Sequence, residues 1–121
     1  MDHLRVWHPI PLEGLDMPLA LQENSDILKV FDAITDIENG VHTPDQWHAE
    51  VQRWLNHVPA LYDRYEKSLR YLRDQCGVDV LDQWQHEPFV DGADVVYPDD
   101  SQEFIFELWA AILVRGTVME Y

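Results

Sequence analysis

The segment PALYDRYEKSLRYLRDQCG, residues 59–77, determines the predicted fold class of this chain. Its apolar positions recur every three or four residues, which is the spacing of one face of an α-helix: Leu61, Tyr62, Tyr65, Leu69, Leu72 and Cys76. Pro59 suits a first helical turn, and Gly77 suits the position that ends a helix. Asp63 precedes Lys67 by four residues, the favourable order for an ion pair on a helix. The segment therefore predicts a helix with one buried face.

Two more helices are predicted before this segment. Ser25 can cap a first helix, whose apolar residues recur at helical spacing as far as the stop at Asn39-Gly40. The sequence Thr43-Pro44-Asp45 combines a cap residue, a first-turn proline and an acid, so a second helix is expected to begin there. Residues 1–24 contain three prolines and predict an irregular or partly extended arm.

The C-terminal part predicts a long loop between two helices. Val80, Leu81 and Trp84 suggest a short helix, and residues 87–100 form an acidic loop punctuated by proline and glycine. Residues 95–97, Val-Val-Tyr, indicate either a brief strand or a contact that tethers this loop.

The last predicted helix is the most apolar segment of the chain. Asp100 or Ser101 is its expected cap, and Glu103 is a capping-box partner for Asp100. The helix is apolar almost all round, with residues that would suit a core: Phe104, Ile105, Phe106, Leu108, Trp109, Ile112 and Leu113. We therefore expect it to be central in the core.

These elements predict a single domain, residues 1–121, of the all-α class. The expected architecture is a bundle of about four helices with an irregular N-terminal arm and a long acidic loop. The alternative is an α+β fold with short strands in the arm and near residues 95–97. A chain of 121 residues with 46% hydrophobic residues can bury a normal core.

Charge is the most informative feature for function. Residues 75–114 carry nine carboxylates and no Lys or Arg, and the formal net charge of the chain is -15. Such a chain is repelled by phosphates and by anionic membranes, so neither nucleic acid nor a membrane is an expected direct partner. One cysteine, and an N-terminus without a cationic segment followed by an apolar run, lead us to expect a cytoplasmic protein.

A concentrated negative field selects a partner of opposite charge. We expect a basic protein, a nuclease or a nucleic-acid-binding complex, whose cationic cleft the acidic face occupies in place of nucleic acid. The function predicted is that of an inhibitor and nucleic-acid mimic, as in immunity proteins for nuclease toxins or phage anti-CRISPR proteins; the match is to their size and charge alone. The expected partner-binding residues are Asp79, Asp82, Phe89, Asp91, Asp94, Tyr97, Asp99, Asp100, Glu103 and Glu107.

Two open questions accompany this prediction. Phe89 and Tyr97 are either interface anchors or residues that pin the loop to the core. Five of the eight basic residues lie between positions 53 and 73, so the domain itself can neutralise part of the acidic face.

The competing function is a non-enzymatic assembly or adaptor protein that docks through the apolar last helix, with charge serving solubility. An enzyme that uses clustered acids and a divalent ion is a weaker alternative, because no catalytic motif, cofactor motif or metal-ligand spacing is present. Cys76 is expected to be a buried, inert thiol. No cofactor, structural metal or catalytic residue is predicted.

Overall fold

The computed structural model describes residues 4–40, 49–84 and 95–119, with side chains as far as Leu113. Within these ranges there are four α-helices: α1 (Met17–Glu38), α2 (Ala49–Trp54), α3 (Val58–Arg70) and α4 (Gln102–Met119). A 3-10 turn, Leu12–Gly14, precedes α1, and a π-helical turn, Tyr71–Gln75, continues α3. These described ranges contain no strand, so the prediction of an all-α fold is confirmed and the α+β alternative is not.

Helix α1 begins two turns earlier than the sequence analysis placed it. The side chain of Asp16 caps the helix by accepting a hydrogen bond of 2.8 Å from the Leu19 N–H, and Pro18 lies in the first turn. Because the first N–H groups of a helix lack intrahelical partners, a proline there loses no hydrogen bond. The prediction of a cap at Ser25 was therefore wrong: Pro18 belongs to the start of the helix and does not prevent it.

Helix α3 follows its sequence pattern closely. Pro59 lies in the first turn, and the side chains expected to face inward at Leu61, Tyr65 and Leu69 are buried. The predicted pair between Asp63 and Lys67 is present at 2.9 Å. The last inward residue, Leu72, is buried in the π-helical turn, whereas Tyr62 and Cys76 are only partly buried.

Residues 4–16 of the N-terminal arm are irregular apart from one 3-10 turn, as predicted, and they are built into the core, whereas residues 17–24, also assigned to the arm, belong to α1. Val6 and Ile10 are fully buried, so the neighbouring backbone groups need partners away from water. The Trp7 N–H donates to Glu23 Oε1 at 2.8 Å, and the Ile10 carbonyl accepts from Arg64 Nη1 at 2.9 Å. Side chains of α1 and α3 thus replace the hydrogen bonds that a helix or sheet would give the arm.

Gly77 marks the end of the segment that began with α3. Its φ of +67° is a left-handed conformation that glycine adopts without a Cβ penalty. The short helix suggested by Val80, Leu81 and Trp84 is absent, since residues 78–84 are not helical. Instead, the Gln83 N–H donates to the Tyr65 hydroxyl at 2.8 Å, and the Trp84 ring stacks on Phe31 with centroids 4.1 Å apart. Packing of Trp84 against α1 and α3 holds this irregular segment in place.

Helix α4 lies at the edge of the domain, which contradicts the expectation that it is central. Leu108 is 1% exposed and, with partly buried Phe104 and Ile112, packs on the cluster formed by the arm and the end of α3. The opposite side of α4 is exposed. High hydrophobicity of a helix identifies residues that favour burial, but the elements in the described ranges cover only one side of this helix.

The predicted helix start at residues 43–45 lies outside the described residues. None of the helices in the described ranges combines the length and apolar character needed to cross a bilayer.

Candidate functional site

Five of the carboxylates predicted to bind a partner are exposed, on two separate segments of the chain, and this exposed set is called the acidic surface: Asp79, Asp82, Asp99, Glu103 and Glu107. Glu103 and Glu107 lie on α4, one turn apart, and Asp99 precedes this helix. Asp79 and Asp82 lie on the irregular segment after Gly77, where an Asp82 oxygen accepts from the Trp84 N–H at 3.1 Å. Phe89, Asp91 and Asp94 lie outside the described residues.

Asp100 has an internal partner. Its two oxygens accept hydrogen bonds from Arg53 Nε at 2.8 Å and Arg53 Nη2 at 2.7 Å, and its side chain is 9% exposed. This bidentate geometry is the strong form of a carboxylate–guanidinium pair. Arg53, one of the basic residues at positions 53–73, therefore neutralises the charge of Asp100, and Asp100 does not belong to the acidic surface.

Ser101, and not Asp100, caps α4. The Ser101 hydroxyl oxygen accepts from the Phe104 N–H at 3.2 Å, while the carboxylate of Asp100 is held by Arg53. The predicted capping box between Asp100 and Glu103 is therefore absent, because the ion pair orients Asp100 away from that role.

Arg53 joins three parts of the chain, a role that sequence reasoning missed. Besides Asp100 it binds Glu50 Oε1 at 2.6 Å and donates to the backbone carbonyls of Val6 and His8 in the arm. Burial alone would lower the pKa of Arg53, but its hydrogen bonds to Asp100 and Glu50 outweigh burial and raise it. No signal in the sequence links residues 53 and 100, since the contact depends on how the arm and the loop pack.

Tyr97 ties the segment before α4 to the body of the domain. Its hydroxyl donates to Asp63 Oδ2, and its ring stacks on His8 with centroids 4.0 Å apart. Burial, together with the adjacent carboxylate of Asp63, raises the pKa of Tyr97. Of the two roles considered for Tyr97, these contacts correspond to the pinning role; residues 95–97 provide the tethering contact and not a strand.

Asp99 and Glu107 line one cavity of about 530 Å³ beside α4. Its walls also include Phe104 and the cations Arg5 and Arg53, whose guanidinium carbons lie 5.8 and 4.6 Å from the Phe104 ring centroid. Arg53 forms ion pairs with Glu50 and Asp100, and Nη1 of Arg5 lies 3.8 Å from Oε2 of Glu50. The structure thus brings Asp99 and Glu107 together at a mixed apolar and charged hollow.

The exposed side of α4 carries large apolar residues, named here the apolar stripe: Phe106 (78% exposed), Trp109 (43%) and Leu113 (70%). The indole of Trp109 lies partly against the arm, since a methyl group at Gly14 would be 3.9 Å from its Cη2 atom. Trp54, by contrast, is fully buried. Water-exposed Phe and Leu side chains on one helical face are typical of interaction surfaces.

Across the described ranges there is no group of three or more His, Cys, Asp or Glu side chains able to hold a metal ion. Cys76 is only partly buried, at the end of the π-helical turn, and the described contacts assign it no catalytic partner.

Comparison with known proteins found no matching family model, no similar curated protein and no similar solved structure. The function is therefore inferred from the surface of this chain itself.

Proposed function

We propose that this chain is a non-enzymatic binding protein whose acidic surface occupies the cationic, nucleic-acid-binding cleft of a partner protein. The observation that carries the proposal is the exposure of five carboxylates in a chain of net charge -15. Carboxylates held on a folded domain imitate the spaced negative charges of a phosphate backbone. Their field also accelerates association with a basic protein.

The use of the arginines inside the domain supports this proposal. Arg64 is buried and paired with Glu23 at 2.8 Å, and Arg53 is occupied by Glu50 and Asp100. These two arginines are therefore paired with Glu23, Glu50 and Asp100. The carboxylates of Asp79, Asp82, Asp99, Glu103 and Glu107 are exposed.

The partner class follows from what binds phosphates. Nuclease toxins and nucleic-acid-guided defence complexes present Lys- and Arg-lined clefts, so the proposed role is that of an immunity protein or a phage anti-defence protein such as an anti-CRISPR. In either role, bound inhibitor and nucleic acid exclude one another from the same cleft.

The test begins with capture of the partner on the immobilised chain, its identification, and reconstitution of the purified pair. The charge variant is Asp99→Asn/Glu103→Gln/Glu107→Gln. We expect its association rate with the partner to fall at least about ten-fold, since electrostatic steering is worth that much or more. The wild-type chain should also displace nucleic acid from the partner, and the charge variant should do so poorly.

A matched control removes the same charge from elsewhere on the surface: Glu13→Gln/Asp32→Asn/Glu38→Gln, all at exposed positions. Equal loss in both variants would indicate a response to net charge alone. A charge variant that binds as tightly and as fast as wild type would refute the proposal.

The second candidate is an adaptor that docks through α4, and the exposed apolar stripe favours it. Here the charge keeps the protein soluble and contributes nothing to binding. Salt separates the two candidates, because raised ionic strength screens exposed charges but does not weaken apolar contacts.

A further inference from the structure

Helix α4 has two apolar sides; the described part of the fold covers one of them and leaves most of the other exposed. Leu108, with Phe104 and Ile112, faces the cluster formed by the arm and the end of α3. At 100° per residue, the apolar stripe lies on the opposite side, and Phe106, Trp109 and Leu113 fall within about 60° of one another. Their spacing of three and then four residues is the pattern by which a helix anchors in a groove of another protein.

The carboxylates of α4 define one edge of this stripe. Glu103 and Glu107 lie about 60° and 100° around the helix from Phe106, on the side away from Trp109. Both are exposed. A groove that accepts the stripe therefore meets two negative charges along one border, and cations there would complement them.

Charge also argues against a second copy of this chain as the occupant. Each copy carries a net charge of -15, so two copies repel one another at low ionic strength. A homodimer through the stripe would bring Glu103 and Glu107 of both copies into the same interface, where these like charges repel one another.

We infer that the apolar stripe is the anchor of the protein interface, and that the partner presents an apolar groove with Lys or Arg along the border that meets Glu103 and Glu107. This inference rests on the proposed function for the existence of a basic partner. It adds an apolar centre to the interface, which carboxylates that imitate phosphates do not supply. Phe106, the most exposed of the three, is the principal anchor.

The experiment compares Phe106→Ala with Leu81→Ala in the reconstituted complex. Leu81 is 72% exposed and lies outside α4, so it is a matched apolar truncation. We expect Phe106→Ala to raise Kd about 30-fold, as for a hot-spot residue, and Leu81→Ala to change Kd less than about three-fold. Equal Kd values for wild type and Phe106→Ala overturn the inference.

The charge variant Asp99→Asn/Glu103→Gln/Glu107→Gln separates this inference from the proposed function. If it weakens binding and Phe106→Ala does not, the cationic-cleft proposal holds and the apolar anchor is wrong. If only Phe106→Ala weakens binding, the apolar groove of the partner is supported, but its cationic border and the proposed cationic cleft are both refuted. Loss in both variants supports the whole inference.

Two further measurements address other occupants of the stripe. One is sedimentation of wild type and Phe106→Ala at low salt and at 0.5 M salt, roughly three times physiological ionic strength. A dimer that depends on Phe106 would overturn the inference that a different protein occupies the stripe. A urea midpoint that falls more for Phe106→Ala than for Leu81→Ala would show that this chain covers its own stripe, and would overturn the inference equally.

Discussion

The buried ion pair between Glu23 and Arg64 offers the sharpest test of how the arm is held. Glu23 is fully buried, and it accepts hydrogen bonds from Arg64 Nε and Nη2, both at 2.8 Å, and from the Trp7 N–H. Arg64→Met removes both guanidinium bonds to the carboxylate and the bond to the Ile10 carbonyl. An uncompensated carboxylate then remains in the interior, which costs about 3–5 kcal/mol of the free energy of unfolding.

The assay is urea unfolding at pH 7, followed by tryptophan fluorescence and far-UV circular dichroism. Coincident transitions and an unchanged m-value would show that the free energy, and not the denatured state, has changed. Arg70→Met is the matched control, because it removes the same charge from an exposed position on the same helix. We expect this control to change stability by no more than about 0.5 kcal/mol.

A double variant tests the physical reason for the loss. In Glu23→Gln/Arg64→Met the buried charge is gone, and the amide oxygen can still accept from the Trp7 N–H. The double variant should therefore be more stable than Arg64→Met alone, by about 1–3 kcal/mol. A loss below about 1 kcal/mol in Arg64→Met, or a double variant less stable than the single one, would contradict the reasoning.

Three further predictions concern the pH dependence of stability, the positive φ of Gly77 and the cap of α4. Burial, aided by the nearby cations of Arg64 and Arg53, lowers the pKa of His8 to about 4, despite an opposing contribution from Asp100. Between about pH 6.5 and 4 the unfolded chain binds more protons than the folded one, so stability should fall as the pH is lowered through this window, by about 1–2 kcal/mol after allowance for partial exposure. His8→Asn should flatten this dependence of stability on pH. A titration midpoint of His8 above about pH 6, measured by NMR, would contradict the prediction. Gly77→Ala should cost about 1 kcal/mol in urea unfolding, because the positive φ is strained for a residue with a Cβ although no atom obstructs it; no loss would indicate a different backbone there. Ser101→Ala should cost about 1 kcal/mol and Ser101→Asp almost nothing, and equal losses for the two would exclude the cap.

Local sequence rules predicted the parts of the fold that local physics controls. The inward face of α3 follows from helical spacing, and the end of the π-helical turn just before Gly77 follows from the freedom of glycine at positive φ. The same rules misplaced the start of α1, because Pro18 disfavours a helix interior but fits a first turn, and spacing alone does not distinguish these positions.

The missed features depend on contacts between distant segments. Glu23 and Arg64 are 41 residues apart, and Arg53 and Asp100 are 47 apart, so neither buried pair has a local signature. The apolar character of α4 led to the expectation that it is central in the core, and that expectation was wrong. Sequence does not say whether the cover comes from the same chain, and Phe106 shows that much of this helix remains exposed.

The candidate site was predictable in composition and only partly in geometry. Counting charges found the acidic segment, and five of its acids are exposed. Counting gave no indication that Asp100 pairs with Arg53, or that Tyr97 serves the packing of His8 and Asp63.

The most direct measurement is the salt dependence of Kd for the reconstituted complex, in wild type and in Asp99→Asn/Glu103→Gln/Glu107→Gln. The account predicts that Kd rises steeply with ionic strength for wild type, and that the variant binds more weakly with a shallower slope. Identical Kd values and slopes for the two proteins would show that these carboxylates take no part in recognition.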